Sequence, residues 1–497
     1  MRKSEILFEA ITNLRDDLIE AAQTHRFTKK STNKSIALKR WMPLAAGLAV
    51  VIGLWALLAS GGLRMGGMSS DTASGGDSGD SGGSAQENGT AADGAAPEEE
   101  PAFSDTAGPI LSLTLQEQND AISAQRQVTL DFSGYGENDD FWEDRYRIGV
   151  TDHYTLTNTS DTDQTVTLLY PVAGDLGELD TPEITVNGQT VETVPVVGSD
   201  AGFDRDADYL DWTALLEDES YLADALDGPE DLSGVEVIVY TVSDQQGPAG
   251  EDAATLALEF SYDPAETTVM QYGFNGMSRG EGGTVQYSGS GFVDGNSENW
   301  YLIVLGKDIQ NPQLQGYEDG GCDVGEELST VTGTLTRRET TLEEILRTVT
   351  EDYWQKRSAQ GGRSSIQVPY EAFYAAVADS VLEDTIYLPL LEEFLFAQGW
   401  QADRVVWFSA QATIPAGGSI EVEAAYTKAA SLNFGPSDMD YKDLCGYEIL
   451  PYAGSSLTFT GQTARVVNGE TVPGWYGNLT FGDADLTAER YDLYTHQ

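Results

Sequence analysis

The chain has 497 residues and a formal net charge of −54, from 81 acidic and 27 basic side chains. A field of that sign repels polyanions, which excludes nucleic acid and disfavours broad docking onto anionic lipid for the acidic part. Two cysteines, Cys322 and Cys445, are too few for a disulfide scaffold, although an oxidising exterior permits one bond between them.

Residues 1–40 carry nine basic and five acidic groups, so the excess negative charge lies beyond them. SEILFEAITNLRDDLIEAAQ, residues 4–23, predicts an amphipathic helix. Leu7, Ile11, Leu14 and Leu18 recur at helical spacing and form one apolar stripe, with Ser4 placed to cap the start. A helix of this length is marginal alone in water, so the stripe needs a partner: a lipid surface, a second copy or a cytoplasmic regulator protein.

Residues 41–63, WMPLAAGLAVVIGLWALLASGGL, hold no charge and lie between Arg40 and Arg64. About 20 helical residues cross a bilayer, and the backbone must satisfy itself there, so a transmembrane helix is expected. Arg26, Lys29, Lys30, Lys34, Lys39 and Arg40 precede it without an acidic residue. Basic flanks stay inside, which puts the N-terminus in the cytoplasm and the bulk outside the plasma membrane. The rival is a signal peptide cleaved near Gly62, disfavoured by the long leader and the length of the apolar run. The leader, the basic residues and the tryptophan-led anchor with its Ala-Ala-Gly run together resemble single-pass membrane proteins of Gram-positive anaerobic bacteria. Some of these are similar to anti-sigma-factor-type regulators, which implies a cytoplasmic segment that answers to an outer domain. The His/Cys zinc pattern of some anti-sigma factors does not occur here.

Residues 64–108 are Gly, Ser, Ala, Asp and Glu for the most part and read as a disordered linker. From Pro109 the pattern turns to β. Strands are predicted at 125–132, 145–158, 164–172, 183–197, 235–242, 254–262, 299–306, 404–414 and 419–427. Asn187-Gly188 between two alternating runs is a strong hairpin signal. YTLTNTSDTDQTVTLLYPV resembles extracellular sandwich modules, and PAGGSIEVEAAY resembles the closing hairpin of surface β-modules. Helical insertions are predicted over 208–226, 341–357, 370–383 and 386–399, and in 341–357 the residues Leu342, Ile345, Leu346, Val349 and Tyr353 share one face. The fold class expected is mainly β: a β-sandwich ectodomain of two modules, 109–329 and 330–497, the second carrying a helical insertion at 341–400. One large sandwich with helical inserts is the alternative.

Three histidines, His25, His153 and His496, offer no recognisable triad base. G-x-S-x-G occurs around Ser81 and Ser278, but neither lies between a predicted strand and helix as a nucleophile elbow requires. No catalytic constellation is evident, and no cofactor is implied. Asp204, Asp206 and Asp208 in FDRDADYLD have the alternate spacing of a calcium loop, but Tyr209 and Leu215 stand where its glycine and glutamate belong. Calcium and a solvated acidic loop both fit. Tyr135, Phe141, Trp142, Tyr272, Phe274 and Tyr287 are predicted on loops or Gly-rich stretches, as ligand-stacking rings or as core anchors. The function expected is signal reception or regulation, with an outer region that binds a wall, peptide or envelope component and an inner helix that binds a regulator. A membrane-anchored surface-binding module without signalling is the alternative, and an anchored hydrolase the third.

Overall fold

The computed structural model describes residues 104–105, 107–135, 146–177, 179–201, 210–247, 254–279, 284–290, 298–318, 327–360, 366–382, 390–433, 444–469, 472, 475–479 and 482–496. The stripe of Leu7, Ile11, Leu14 and Leu18, the anchor 41–63 and nearly all of the linker lie outside the described residues. Among those described, no helix is long and apolar enough to cross a membrane.

The protein is mainly β and is built from several sheets. The largest runs in the order Gly482–Asp485, Thr458–Val467, Ile122–Asp131, Ile148–Asn158, Ser419–Lys428, Glu183–Val186 and Gln189–Thr190. Strand Ile122–Asp131 alternates buried and more exposed residues, so Ile122, Ala124, Arg126, Val128 and Leu130 share one face. That face covers two cores. Ile122, Ala124, Tyr154 and Leu156 join Leu168, Tyr170, Val406 and Phe408 of a four-stranded sheet. Val128, Leu130, Ile148 and Val150 join Tyr447, Ile449 and Leu493 of a five-stranded sheet.

Two further four-stranded sheets consist only of residues 236–341. The first has the order Thr267–Tyr272, Trp300–Gly306, Glu236–Gln246 and Thr332–Thr341. It is covered on both faces, which explains the unbroken apolar run Trp300-Tyr301-Leu302-Ile303-Val304-Leu305 in its interior. Leu302 and Val304 pack with Leu258, Phe260 and Tyr287 of the second sheet. Ile303 and Leu305 point the other way, into the large core that holds the helices.

Helix Leu342–Gln360 buries Leu342, Ile345, Leu346, Val349 and Tyr353, the face that the 3.6-residue spacing predicts. Helices Tyr370–Ser380 and Leu391–Phe396 pack in the same core, and a π-helical turn, Ala397–Gln401, leads into strand Arg404–Ile414. The predicted helix over 208–226 is two short ones, Trp212–Glu217 and Glu219–Asp227, each started by an Asp side chain that accepts a backbone N–H.

The boundary expected near 330 is corrected. Strand Arg404–Ile414 pairs along its whole length with Gln164–Gly174, and Ser419–Lys428 with Ile148–Asn158. Residues on both sides of 330 belong to one compact unit. The region 202–402 is instead nested: its ends meet where Ala201 N–H donates to Asp403 O at 2.8 Å, beside Gly198 N–H on Val405 O at 2.8 Å. Composition along the chain carries no trace of this, because strands far apart in sequence pair as readily as neighbours once the ends of the insertion lie together.

The closing hairpin expected at 404–427 is also corrected. Arg404–Ile414 and Ser419–Lys428 lie in different sheets, as do Ile148–Asn158 and Gln164–Gly174. Both connections are corners that pass from one sheet to the facing one. Turn residues specify a reversal, not the sheet that the next strand joins. The Asn187-Gly188 turn behaves as predicted: both residues have positive φ, 49° and 74°, and Glu183–Val186 pairs with Gln189–Thr190 across it.

Candidate functional site

An open cleft of about 490 Å³ is lined by Tyr272, Tyr353, Lys356, Arg357, Glu392, Glu393 and Phe396. Three elements deliver these residues. Tyr272 ends the edge strand Thr267–Tyr272. Tyr353, Lys356 and Arg357 occupy the fourth and fifth turns of helix Leu342–Gln360, where spacings of three and four keep them on one side. Glu392, Glu393 and Phe396 come from helix Leu391–Phe396, which a bridge between Gln271 and Leu390 fixes beside the edge strand. The volume suits a small molecule rather than a macromolecule.

Polar groups are unevenly paired. The Tyr272 hydroxyl donates to Asp352 Oδ2 at 2.6 Å, and burial together with that carboxylate pushes the phenol far up. Lys356 Nζ lies 2.8 Å from Asp352 Oδ2 and also pairs with Glu298. Burial raises the Tyr353 phenol, with Arg357 opposing the rise. Its buried hydroxyl has no hydrogen-bond partner among the described residues. Glu392 is exposed as a residue, yet its carboxyl stands among other groups. Desolvation raises it above the ordinary 4.5, Lys356 and the Gly273 N–H pull it down, and Glu298 and Asp352 add to the rise.

Rings enclose one of the cations. The Arg357 guanidinium carbon is 4.8 Å from the centre of the Trp400 ring, 5.2 Å from Tyr353 and 5.9 Å from Phe396. Phe396 and Trp400 meet edge to face at 5.1 Å. The π-helical turn carries Trp400, whose indole lies against Gly177: a Cβ there would stand 1.3 Å from its Nε1. Such ring–guanidinium packing contributes about 0.5–2 kcal/mol per pair, depending on desolvation.

Of the sequence-predicted candidates among the described residues, the ring Tyr272 lines this cleft and the others lie elsewhere. Asp204, Asp206 and Asp208 lie outside the described residues, as does Cys322; Cys445 is buried in the core under the five-stranded sheet. Phe141 and Trp142 also lie outside. Tyr135 packs on Phe132 and Tyr146, with its hydroxyl 2.5 Å from Thr495 Oγ1. Phe274 and Tyr287 are buried in the core between the two inserted sheets, as anchors rather than exposed rings. His153 sits on the seven-stranded sheet with Nε2 3.0 Å from Glu421 Oε2. Ser278 lies on strand Gly276–Arg279, and its hydroxyl donates to Gln286 Oε1 at 2.6 Å, so its surroundings are strand and strand rather than strand and helix.

Sequence reading reached the cleft through Tyr272 alone. Tyr353 figured only as a core position, and Lys356 and Arg357 not at all. The available signal was the adjacent basic pair in Tyr353-Trp354-Gln355-Lys356-Arg357, set among aromatics in a chain where acidic residues outnumber basic ones threefold.

No protein-family model matches the chain, and no curated protein matches it. Among solved structures, a candidate nutrient-binding protein of Legionella pneumophila is similar over 79% of this chain and 72% of its own. The identity is 7% and the TM-score 0.29, a likeness that identifies neither a fold family nor a ligand.

Proposed function

We propose that the chain is a membrane-anchored, extracytoplasmic binding protein, built outside the membrane from β-sandwich modules, and that the cleft between Tyr272, Arg357 and Phe396 holds its ligand. The observation that carries this reading is the cleft itself, where rings and unevenly paired polar groups converge from three elements. Concave sites with an apolar wall and a few placed polar groups are where small ligands bind. The uncharged run 41–63 behind a basic flank supports the anchor, and the stripe of Leu7, Ile11, Leu14 and Leu18 supports transmission to a cytoplasmic regulator as the fuller form of the same reading.

The test is thermal unfolding of the full-length protein in detergent against a set of sugars, amino acids, short peptides and amines. A bound ligand raises the midpoint by mass action. Glu393→Trp serves as the comparison, because it fills the cleft mouth from an exposed position. At least one compound is expected to raise the midpoint of the native chain and not of the variant. No such compound in the set, or equal shifts in both proteins, overturns the reading.

A further inference from the structure

Two side chains one helical turn apart define the chemistry of the cleft's ligand. Tyr353 and Arg357 stand four residues apart on helix Leu342–Gln360, and both line the cleft. Tyr353 is 6% exposed, and its hydroxyl has no partner among the described residues. A buried hydroxyl with no partner is uncommon, because folding strips it of water and returns nothing. Arg357 is unusual in a different way. In this acidic chain Arg126, Arg147, Arg337 and Arg347 each pair with a carboxylate. Arg357 is set against three rings, and among the described residues no carboxylate is paired with it, although Glu392 and Glu393 line the same cleft.

A guanidinium held by rings keeps its outer N–H groups free of a protein carboxylate and aimed by its packing. The Tyr353 phenol beside it, whose oxygen faces the guanidinium, still has its own O–H to donate. Together they match the two oxygens of a carboxylate, which guanidinium binds with parallel hydrogen bonds. A compact dianion such as phosphate is a poorer match, since Glu298, Asp352, Glu392 and Glu393 would all repel it. A cationic ligand would find the ring faces already taken by Arg357, and by Lys356, whose Nζ is 5.9 Å from the centre of the Tyr272 ring.

We propose that the cleft binds a small monocarboxylate with a flat or apolar body, its carboxylate held by Arg357 and the Tyr353 hydroxyl and its body lying along Phe396 and Tyr272. This rests on the cleft being the ligand site.

The experiment uses ligand-observed saturation-transfer NMR on the full-length protein in detergent, with phenylacetate, phenethylamine and benzyl alcohol as probes of matched shape and inorganic phosphate as competitor. Phenylacetate is expected to bind about tenfold tighter than the other two, because only it meets a charge-assisted fork. Arg357→Lys and Tyr353→Phe are each expected to weaken it about three- to tenfold, and equimolar phosphate should not displace it. Tyr353→Phe keeps the buried ring and removes only the hydroxyl beside Arg357, and its unfolding midpoint, expected to match the native one, is measured in parallel so that a loss of binding is not mistaken for a loss of fold. Equal binding of the amine or the alcohol, displacement by phosphate, or phenylacetate affinity unchanged in both variants overturns the carboxylate assignment. The cleft reading survives those results as long as some compound is lost on Glu393→Trp, and fails only when none is.

Discussion

Arg126 and Asp152 form a fully buried, two-bond ion pair, Nε to Oδ1 at 2.8 Å and Nη2 to Oδ2 at 2.7 Å. The pair stands where one face of the seven-stranded sheet passes from the core under the four-stranded sheet to the core under the five-stranded sheet. Further hydrogen bonds surround it: Arg126 also donates to Leu111 O, Ser112 Oγ and Gln462 Oε1, and Asp152 Oδ2 accepts from the hydroxyls of Tyr154 and Tyr170. Burial works against the Arg126 charge, yet Asp152 and the nearby phenols hold its proton more tightly than usual.

Removing one partner leaves the other charged and buried. Asp152→Asn is expected to cost about 3–5 kcal/mol, whereas Arg126→Met combined with Asp152→Leu should cost less than the sum of the two single changes. Urea unfolding followed by tryptophan fluorescence measures both. A double variant as damaged as the sum of the singles would show that the pair contributes through its shape rather than its charges.

The two corners hold each other through one side chain. Asn158 Nδ2 donates to Thr162 O at 2.7 Å and to Ile414 O at 3.1 Å, while its Oδ1 accepts from Ser160 N–H at 2.9 Å. Gly417 N–H returns a bond to Ser160 O at 2.9 Å. Asn158→Ala strands these buried groups and should lower stability by about 1–3 kcal/mol. Hydrogen exchange at Gly417 and Gly418 should accelerate in the variant, and unchanged exchange there would separate the two corners.

The raised Glu392 carboxyl has a definite sign in stability. Its folded value lies above its unfolded one, so the folded state retains the proton longer and stability falls as pH rises from about 4.5 through the raised value. Glu392→Gln lacks this loss. Its thermal midpoint should gain on the native one across that window and hold the difference above it. Parallel pH profiles for the two proteins would mean that solvent screens the carboxyl completely.

Gly177 has no room for a methyl group, because Trp400 lies against it. Gly177→Ala should displace the indole from the Arg357 guanidinium, shift tryptophan emission and cost about 1–3 kcal/mol through overpacking. Emission and stability both unchanged would mean that Trp400 relaxes without disturbing the ring cluster.

Sequence alone determined the local elements. Alternation placed the strands at 148–158 and 419–428 to within a few residues, because a half-buried strand must show period two, whereas 164–174 and 404–414 alternate over part of their length and are buried on both faces over the rest. Helical spacing identified the buried face of 342–360, and Asn187-Gly188 specified its turn through positive φ. Only the tertiary structure decided which strands pair. Arg404–Ile414 met Gln164–Gly174 rather than its neighbour because both corners cross between sheets, and residues 202–402 close on themselves at Ala201 and Asp403. Pairing depends on which apolar faces share a core, and alternation has the same period whichever partner is chosen. The cleft escaped for a related reason. Tyr272 is far in sequence from Arg357, and Arg357 in turn from Phe396, and only the packing of an edge strand on two helices makes them one surface.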